Sequence, residues 1–301
     1  AARAALLSKT DLITGVVREF PELQGIMGRY YAVNDSEEKE VADALMEQYL
    51  PAFHGDRLPE TETGAILSLA DKTDNIVSFF SIGLIPTGSE DPFALRRQTL
   101  AVIAMLSIKG YNLSISEIVN EAFKNLKHVK KSAETKEAVL QFFEQRLEPL
   151  FSAQGYDFDV IQSVLSLSTK IPLKEIKLRL DAIKEFKNNA GYNDFLTAIK
   201  RVKNIIPASE IPVFKNKLLT EEPEKNLYEK INELKKDVED LADKSGYPEA
   251  LNKLLLLTAP ISHFFDNVLV MDKREEIKLN RLALLKKVWA MASSIADFSK
   301  L

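Results

Sequence analysis

Helical periodicity runs through nearly the whole chain. In almost every segment the apolar residues recur at the 3.6-residue spacing of an amphipathic helix, and no run alternates strictly as a half-buried strand would. The 301 residues are enough to bury a sizeable core in two or three domains. The sequence therefore predicts an all-α protein, with a first helical domain over residues 1–110, a connecting helical region over 111–188 and a helical bundle over 189–301.

Proline and capping residues predict where the helices begin and end. We expect a first helix over Ala2–Glu19, which Pro21 stops because proline cannot continue a helix interior. Asp35 or Ser36 is expected to cap a helix that ends near residue 49, and Ser114 is expected to cap another. Because the chain opens without methionine and already at helical spacing, we interpret it as a fragment that begins inside a helix.

The residues needed for self-contained chemistry are scarce. Absence of cysteine excludes disulfides, thiolate metal sites and cysteine nucleophiles. The three histidines, His54, His128 and His263, are isolated, and no glycine-rich phosphate loop or G-x-S-x-G elbow is present. No apolar run approaches the roughly 20 residues that span a bilayer. We expect no catalytic residue, bound cofactor or metal in this chain, and no membrane segment.

One irregular segment departs from the plain helical pattern. Residues 20–31 read F-P-E-L-Q-G-I-M-G-R-Y-Y, which combines a proline and two glycines with apolar side chains, Gln24 and Arg29. The segment is too polar for a core and too hydrophobic for a solvated loop. It therefore indicates a surface that meets a partner.

Three further segments make the pattern specific. They are I-P-T-G-S-E-D-P-F-A-L-R-R (85–97), N-R-L-A-L-L (280–285) and A-D-F-S-K-L (296–301). Together with residues 20–31 they resemble the β subunit of bacterial glycyl-tRNA synthetase, and the resemblance runs through the whole chain, least distinctively over 111–190. It implies a degenerate histidine–aspartate (HD)-like helical domain, followed by the DALR-type anticodon-binding bundle that is shared with arginyl-tRNA synthetase.

The resemblance also implies partners. In that family two α and two β subunits form a heterotetramer, and the α subunit uses ATP and Mg to make glycyl-adenylate. This chain would be the C-terminal portion of the β subunit, a cytoplasmic protein that binds tRNA(Gly) and the α subunit but neither DNA nor membranes. It would position the acceptor arm and the anticodon stem-loop without catalysing the reaction itself.

The same resemblance implies a lost metal site. Ser8-Lys9-Thr10 stands where HD hydrolases have the histidine side of their motif, and Asp11 remains. Asp71 or Asp74 stands where the last acidic ligand would be. Because a carboxylate pair without histidines is a poor site for a transition metal, we interpret the domain as a binding scaffold.

Two groups of polar residues are candidates for tRNA contact. The acceptor-side candidates are Lys9, Arg18, Gln24, Arg29, Arg96 and Arg97. The anticodon-side candidates are Lys200, Arg201, Lys203, Asn204, Asn280, Arg281, Lys286 and Lys287. Basic side chains would supply affinity through phosphates, and amides would read bases.

Structural alternatives remain open for several of these residues. Arg29 is an alternative ion-pair partner of Glu22, and Arg96 and Arg97 are more easily explained as partners of Glu90 or Asp91. We expect Trp289 and the aromatic pair Phe264-Phe265 in the core. Two other functions also stay open, a helical scaffold that docks the α subunit through residues 20–31, and an active HD hydrolase with Mn, Fe or Zn near Asp11 and Asp71.

Overall fold

Every regular element of the described chain is helical. The computed structural model describes residues 1–53, 55–88, 90–127, 132–207 and 209–301, so that His54 and His128 lie outside the described residues. Within these ranges the strand-like pairings are two isolated bridges, Thr87 with Glu90 and Ser114 with Pro172. The prediction of an all-α fold is confirmed. None of the described helices has the length and apolar character needed to cross a bilayer.

We label the α-helices of the described ranges in chain order. They are α1 (Ala2–Leu7), α2 (Gly15–Glu19), α3 (Ile26–Asn34), α4 (Lys39–Glu47), α5 (Glu62–Ser81), α6 (Leu95–Ile108), α7 (Ile115–Asn125), α8 (Ala133–Ala153), α9 (Phe158–Leu165), α10 (Leu173–Phe186), α11 (Tyr192–Ile205), α12 (Glu222–Asp243), α13 (Tyr247–Leu255), α14 (Thr258–Asn267) and α15 (Glu275–Ser293).

Internal packing divides these helices into two compact units. Unit 1 comprises Ala1–Arg146 and Thr169–Lys174, and unit 2 comprises Leu147–Ser168 and Glu175–Leu301. These two units are defined by packing, and they do not test the domain boundaries that the sequence places at residues 110 and 188. Those boundaries stay a prediction.

The prediction of one continuous helix over residues 2–19 is wrong. The chain instead forms α1, a 3-10 turn at Thr10–Ile13 and α2, with a break at Lys9, whose φ of 61° is rare for a residue other than glycine. The break turns Asp11 into the interior, where its carboxylate accepts hydrogen bonds from the Gly25 amide at 2.6 Å and the Tyr49 hydroxyl at 3.1 Å. Because these bonds require Asp11 to leave the helix surface, the tertiary contact overrides the local periodicity.

The two glycines of residues 20–31 have a packing role. Gly25 precedes α3 with φ 78°, and a Cβ atom there would lie 2.7 Å from the Tyr49 ring. A Cβ at Gly28 would lie 3.3 Å from the Asp11 carboxyl carbon. Because both positions lack a side chain, α3 can begin directly beside Asp11.

The expected cap at Asp35 or Ser36 is also wrong. Ser36 adopts φ 61° and ends α3, because the next amide, that of Glu37, bonds back to the Ala32 carbonyl at 2.9 Å. This is the left-handed turn with which many helices terminate. The following helix, α4, begins at Lys39 after Glu38.

Helix α5 is the central helix of unit 1 and packs against α4, α6 and α7. Its N-cap Thr61 accepts a hydrogen bond from the Gly64 amide at 3.0 Å, while the buried Glu47 carboxylate accepts from the amides of Glu60 at 2.9 Å and Thr61 at 3.1 Å. The predicted cap of α7 at Ser114 is confirmed.

Unit 2 has an aromatic core and several buried polar contacts. Phe195 makes edge-to-face contacts with Phe186 and Phe298, at centroid distances of 5.7 and 5.2 Å. The Arg179 guanidinium donates to the Ile295 carbonyl at 2.8 Å. These contacts fix α10 and α11 against the segment that follows α15, since edge-to-face aromatic pairs and charged hydrogen bonds add specific geometry to apolar burial.

Candidate functional site

Among the first thirty residues, some acceptor-side candidates form ion pairs within the protein and others have exposed side chains. Lys9 forms an ion pair with Asp71, and Arg29 pairs with Asp43 at 2.5 Å rather than with Glu22, so the alternative partner named from the sequence is wrong. Arg18 and Gln24 are exposed, and Arg18 makes no ion pair within the described residues. Arg18 and Gln24 are therefore the members of this group whose side chains are available to a partner.

The loop before α6 holds Arg96 and leaves Arg97 free. The Arg96 guanidinium donates to the carbonyls of Gly88 at 2.7 Å and Glu90 at 3.1 Å, which fixes the loop but is not the predicted ion pair with a carboxylate. The Asp91 carboxylate instead accepts from the Leu95 and Arg96 amides at 2.7 and 2.9 Å, as an N-terminal cap does. Arg97 is exposed and has no ion pair in the described chain.

Two of the three carboxylates suggested as remnants of a metal site, Asp11 and Asp71, bond to protein groups. Asp11 accepts from Gly25 and Tyr49, and Asp71 pairs with the Lys9 ammonium, while Asp74 is exposed. Among the residues that the structure describes, no three His, Cys, Asp or Glu side chains are grouped so that they could hold a metal ion.

A buried lysine lies beside this cluster. The Lys72 ammonium donates to the carbonyls of Gln48 and Leu50, each at 3.0 Å, and to the Ser68 hydroxyl at 2.8 Å. Burial lowers the pKa of Lys72 to about 8, because the charged form is poorly solvated there. The ammonium connects α5 to the chain that leaves α4.

In unit 2, part of the predicted anticodon-side cluster lines an open groove. The groove has a volume of about 770 Å³, and Lys200, Arg201 and Asn204 on α11 form one side of it. Phe265 on α14 and the segment from Val268 to Met271 form the other side. Arg201 lies over the Phe265 ring, with 4.3 Å from its Cζ atom to the centroid, and pairs with Asp266 at 3.6 Å. Basic, amide and aromatic groups thus share one concave surface, which we call the α11–α14 groove.

Sequence reasoning missed the role of Phe265 in this groove. Phe264 is fully buried as expected, but Phe265 is only half-buried. Neighbouring residues on a helix point about 100° apart, so an adjacent aromatic pair on a surface helix cannot both face one core. The adjacency of Phe264 and Phe265 in the sequence could therefore have indicated that one of the two rings lies outside the core.

The second predicted cluster, on α15, must be corrected. Arg281 is 2% exposed and Asn280 is 5% exposed, so neither can contact tRNA in the folded chain. Arg281 forms ion pairs with Glu221 at 2.5 Å, with Asp272 at 3.1 Å and with the buried Glu224. The helix carries apolar side chains nearly all round, and the sequence pattern gave no sign that this arginine points inward.

The remaining candidates of unit 2 are accessible. Lys286 and Lys287 are exposed on α15, and the Lys287 ammonium lies 5.3 Å from the Phe214 ring centroid. Lys203 lies 5.0 Å from the Trp289 ring centroid, and Trp289 is half-buried rather than fully in the core. Each aromatic ring therefore has a cation beside it.

The first unit also exposes large apolar side chains near its N-terminal helices. Ile13 is 89% exposed and Tyr30 is 61% exposed. Other exposed apolar residues of this region are Leu6, Leu12, Val16, Phe20, Ile26 and Val33. We call this set the N-terminal apolar surface. Such a concentration is typical of an interaction site.

Comparison with known proteins agrees with the sequence resemblance. A family model described as glycyl-tRNA synthetase beta subunit matches residues 1–166, and one described as DALR anticodon binding domain matches residues 195–295.

Similar proteins named glycine–tRNA ligase beta subunit occur in several bacteria. The chain is 43% identical over 300 residues to that of Thermodesulfovibrio yellowstonii and 41% identical over 301 residues to that of Syntrophus aciditrophicus, with 99% of the chain covered in both. These matches cover 43% and 44% of the two relatives, so the chain spans less than half of their length. The chain belongs to the glycyl-tRNA synthetase beta subunit family.

Proposed function

We propose that this chain is a tRNA-binding part of a glycine–tRNA ligase, which holds tRNA(Gly) while a separate α subunit joins glycine to it. The observation that carries the proposal is the α11–α14 groove, because it combines cations, an amide and a half-buried aromatic ring within the region similar to an anticodon-binding domain. Unpaired RNA bases are bound by stacking on aromatic or arginine planes and by hydrogen bonds to their edges.

In unit 2, the lysine side chains would contribute binding affinity, and the groove side chains would recognise bases. Lys200 and Lys203, with the exposed Lys286 and Lys287 of α15, would contact phosphates, which supplies affinity without sequence information. Phe265 and Arg201 offer a stacked pair of planes on which an anticodon base can lie. Asn204 is exposed beside them and can donate to and accept from a base edge.

Unit 1 would contact the acceptor arm through Arg18, Gln24 and Arg97, its exposed candidates. Its contribution to the reaction would be positioning, since a displaced acceptor end slows the chemistry even when no residue of this chain touches the reacting atoms. Under this proposal ATP and Mg bind the α subunit, this chain binds no cofactor, and the complex of two α and two β subunits works in the cytoplasm.

The test is a fluorescence titration of the chain with tRNA(Gly) and a non-cognate tRNA at two salt concentrations. A triple variant, Lys200→Gln, Arg201→Gln and Lys203→Gln, removes three charges beside the groove. Each lost phosphate contact should reduce the slope of log K against log salt by about 0.7–0.9, so loss of the two lysine contacts should reduce that slope by about 1.4–1.8.

A matched control removes the same charge elsewhere in unit 2. Lys235, Lys236 and Lys244 are exposed on and after α12, away from the groove-lining residues, and their change to glutamine should leave the slope unaltered. An unaltered slope in the groove variant would show that these cations do not contact phosphates. Absence of tRNA(Gly) binding by the unmodified chain at low salt would end the proposal.

A second candidate role is docking of another polypeptide through the N-terminal apolar surface. Its exposed side chains favour a protein contact over RNA, because they carry no charge for phosphates. The test is binding of the purified α subunit, compared between Ile13→Ser and the control Ile108→Ser, which changes an isoleucine 72% exposed in α6. Weaker binding of the Ile13 variant alone supports docking, and equal binding by the two variants excludes this surface.

A further inference from the structure

A concave site lies in unit 1, and two of the acceptor-side candidates, Gln24 and Arg97, are among the residues that line it. It has a volume of about 380 Å³ and lies between the end of α4, the middle of α5 and the start of α6. Gln48, Asn75, Phe93 and Arg97 line it, together with the Lys72 side chain. We call it the α4–α6 pocket.

The fully buried Gln48 belongs to the wall of this pocket. Its Nε2 atom donates to the Leu45 carbonyl at 2.8 Å. Its Oε1 atom is buried without a hydrogen-bond partner in the described chain, and because solvent does not reach it, a ligand in the pocket has to be held by other groups.

Phe93 offers an aromatic face beside the same pocket. One side of its ring is stacked on Phe79, with 4.1 Å between the centroids, yet the side chain remains 40% exposed. The Asn75 side-chain amide donates to Gln98 Oε1 at 3.1 Å, so a pair of side-chain amides borders the ring. A flat face bordered by amides is the surface on which an unstacked base is bound.

Arg97 is a charged side chain lining this pocket that makes no ion pair within the described residues and can therefore bind an anion. The Lys72 ammonium already donates to three oxygens, and Asp71 pairs with Lys9. The first free amides of α6 are capped by the Asp91 carboxylate, so the helix end cannot bind an anion. A phosphate at the rim would therefore meet the Arg97 guanidinium, which can contact it through two N–H groups.

The volume limits the ligand to a single small unit. Small-molecule sites occupy about 300–1,000 Å³, and the α4–α6 pocket is near the lower end of that range. One base with its sugar and phosphate is of that size, and two stacked nucleotides are not.

We propose that the α4–α6 pocket binds one unpaired nucleotide of an RNA strand, with its base against Phe93 and its phosphate at Arg97. The edge of the base lies beside the side-chain amides of Asn75 and Gln98, which border the ring. This inference rests on the proposed function, because it names the part of the RNA that unit 1 takes.

The experiment titrates the full chain with AMP, CMP and UMP, followed by two-dimensional NMR of the backbone and side-chain amides. The mononucleotides should shift the Asn75 and Gln98 side-chain signals in a saturable way. Arg97→Gln should weaken AMP binding about tenfold, as loss of one charged hydrogen bond does. Arg57→Gln, an exposed arginine of unit 1 that does not line the pocket, is the matched control.

A chain that binds tRNA(Gly) but none of the three mononucleotides overturns this inference and leaves the proposed function in place. Equal AMP affinity of the Arg97 and Arg57 variants also overturns it. A chain that binds neither tRNA nor mononucleotides removes both proposals together.

Discussion

Replacement of Arg281 by methionine should strongly destabilise unit 2. The side chain is almost fully buried, and its guanidinium is surrounded by the carboxylates of Glu221, Glu224 and Asp272 and by the Leu269 carbonyl, to which Nη1 donates at 2.8 Å. Methionine keeps most of the volume but removes the charge. It leaves Glu224, which is fully buried, with only the neutral donors around it, such as the Thr220 amide at 2.7 Å.

The magnitude follows from the burial of the unpaired carboxylate. Breaking a buried ion pair on one side typically costs about 3–5 kcal/mol. With a urea m value of about 2 kcal/mol per molar, a loss of about 4 kcal/mol lowers the unfolding midpoint by about 2 M. Trp289, the single tryptophan of the chain, lies on the same helix as Arg281, so its fluorescence reports the unfolding of this unit.

Two further variants separate charge from packing. Lys287→Met removes an exposed cation from α15 and should change the free energy of unfolding by less than about 0.5 kcal/mol. The double variant Arg281→Met, Glu224→Gln removes the stranded charge and should be no less stable than Arg281→Met alone. A loss below about 1 kcal/mol in Arg281→Met would refute the reasoning, since it would mean that no buried carboxylate depends on this arginine.

Three other predictions concern unit 1, each measured by urea unfolding followed by circular dichroism. Burial lowers the pKa of Lys72 in the folded chain to about 8, below its value in the unfolded chain, so the unfolded state binds more protons between pH 8 and 10. The free energy of unfolding should therefore rise with pH in this range, and Lys72→Met should abolish that rise. Ser114→Ala removes the capping box of α7 and should cost about 1 kcal/mol. Gly25→Ala should cost more than Gly110→Ala, because both positions have positive φ but only Gly25 approaches another side chain, the Tyr49 ring; equal losses would contradict the packing role of Gly25.

Several features of the candidate site could be predicted from local sequence, and others could not. The basic residues of α11 lie near the end of an amphipathic helix as expected, and Arg201 is exposed there while Lys200 and Lys203 are half-buried; their contact with tRNA stays a prediction. Arg281 could not be placed in this way. Its partners Glu221, Glu224 and Asp272 lie 60, 57 and 9 residues away, so that no local pattern identifies them.

The ion pairs of the first thirty residues could not be predicted from local sequence either, because their partners lie in later segments of the chain. Arg29 is close in sequence to Glu22 but pairs with Asp43, because α3 and α4 pack side by side. The unpaired amide oxygen of Gln48 could not be predicted from sequence either, because an amide oxygen lacks a partner only when the surrounding helices exclude it from water.

The sequence by itself determined that this chain is helical, that it contains no cysteine, and which family it belongs to. Periodicity and capping act over a few residues, so they are read directly from the order of the amino acids. Tertiary structure alone decided which charges are free to meet a partner. A cation becomes structural or available according to the carboxylates that distant helices bring to it, as Arg281 and Arg97 show.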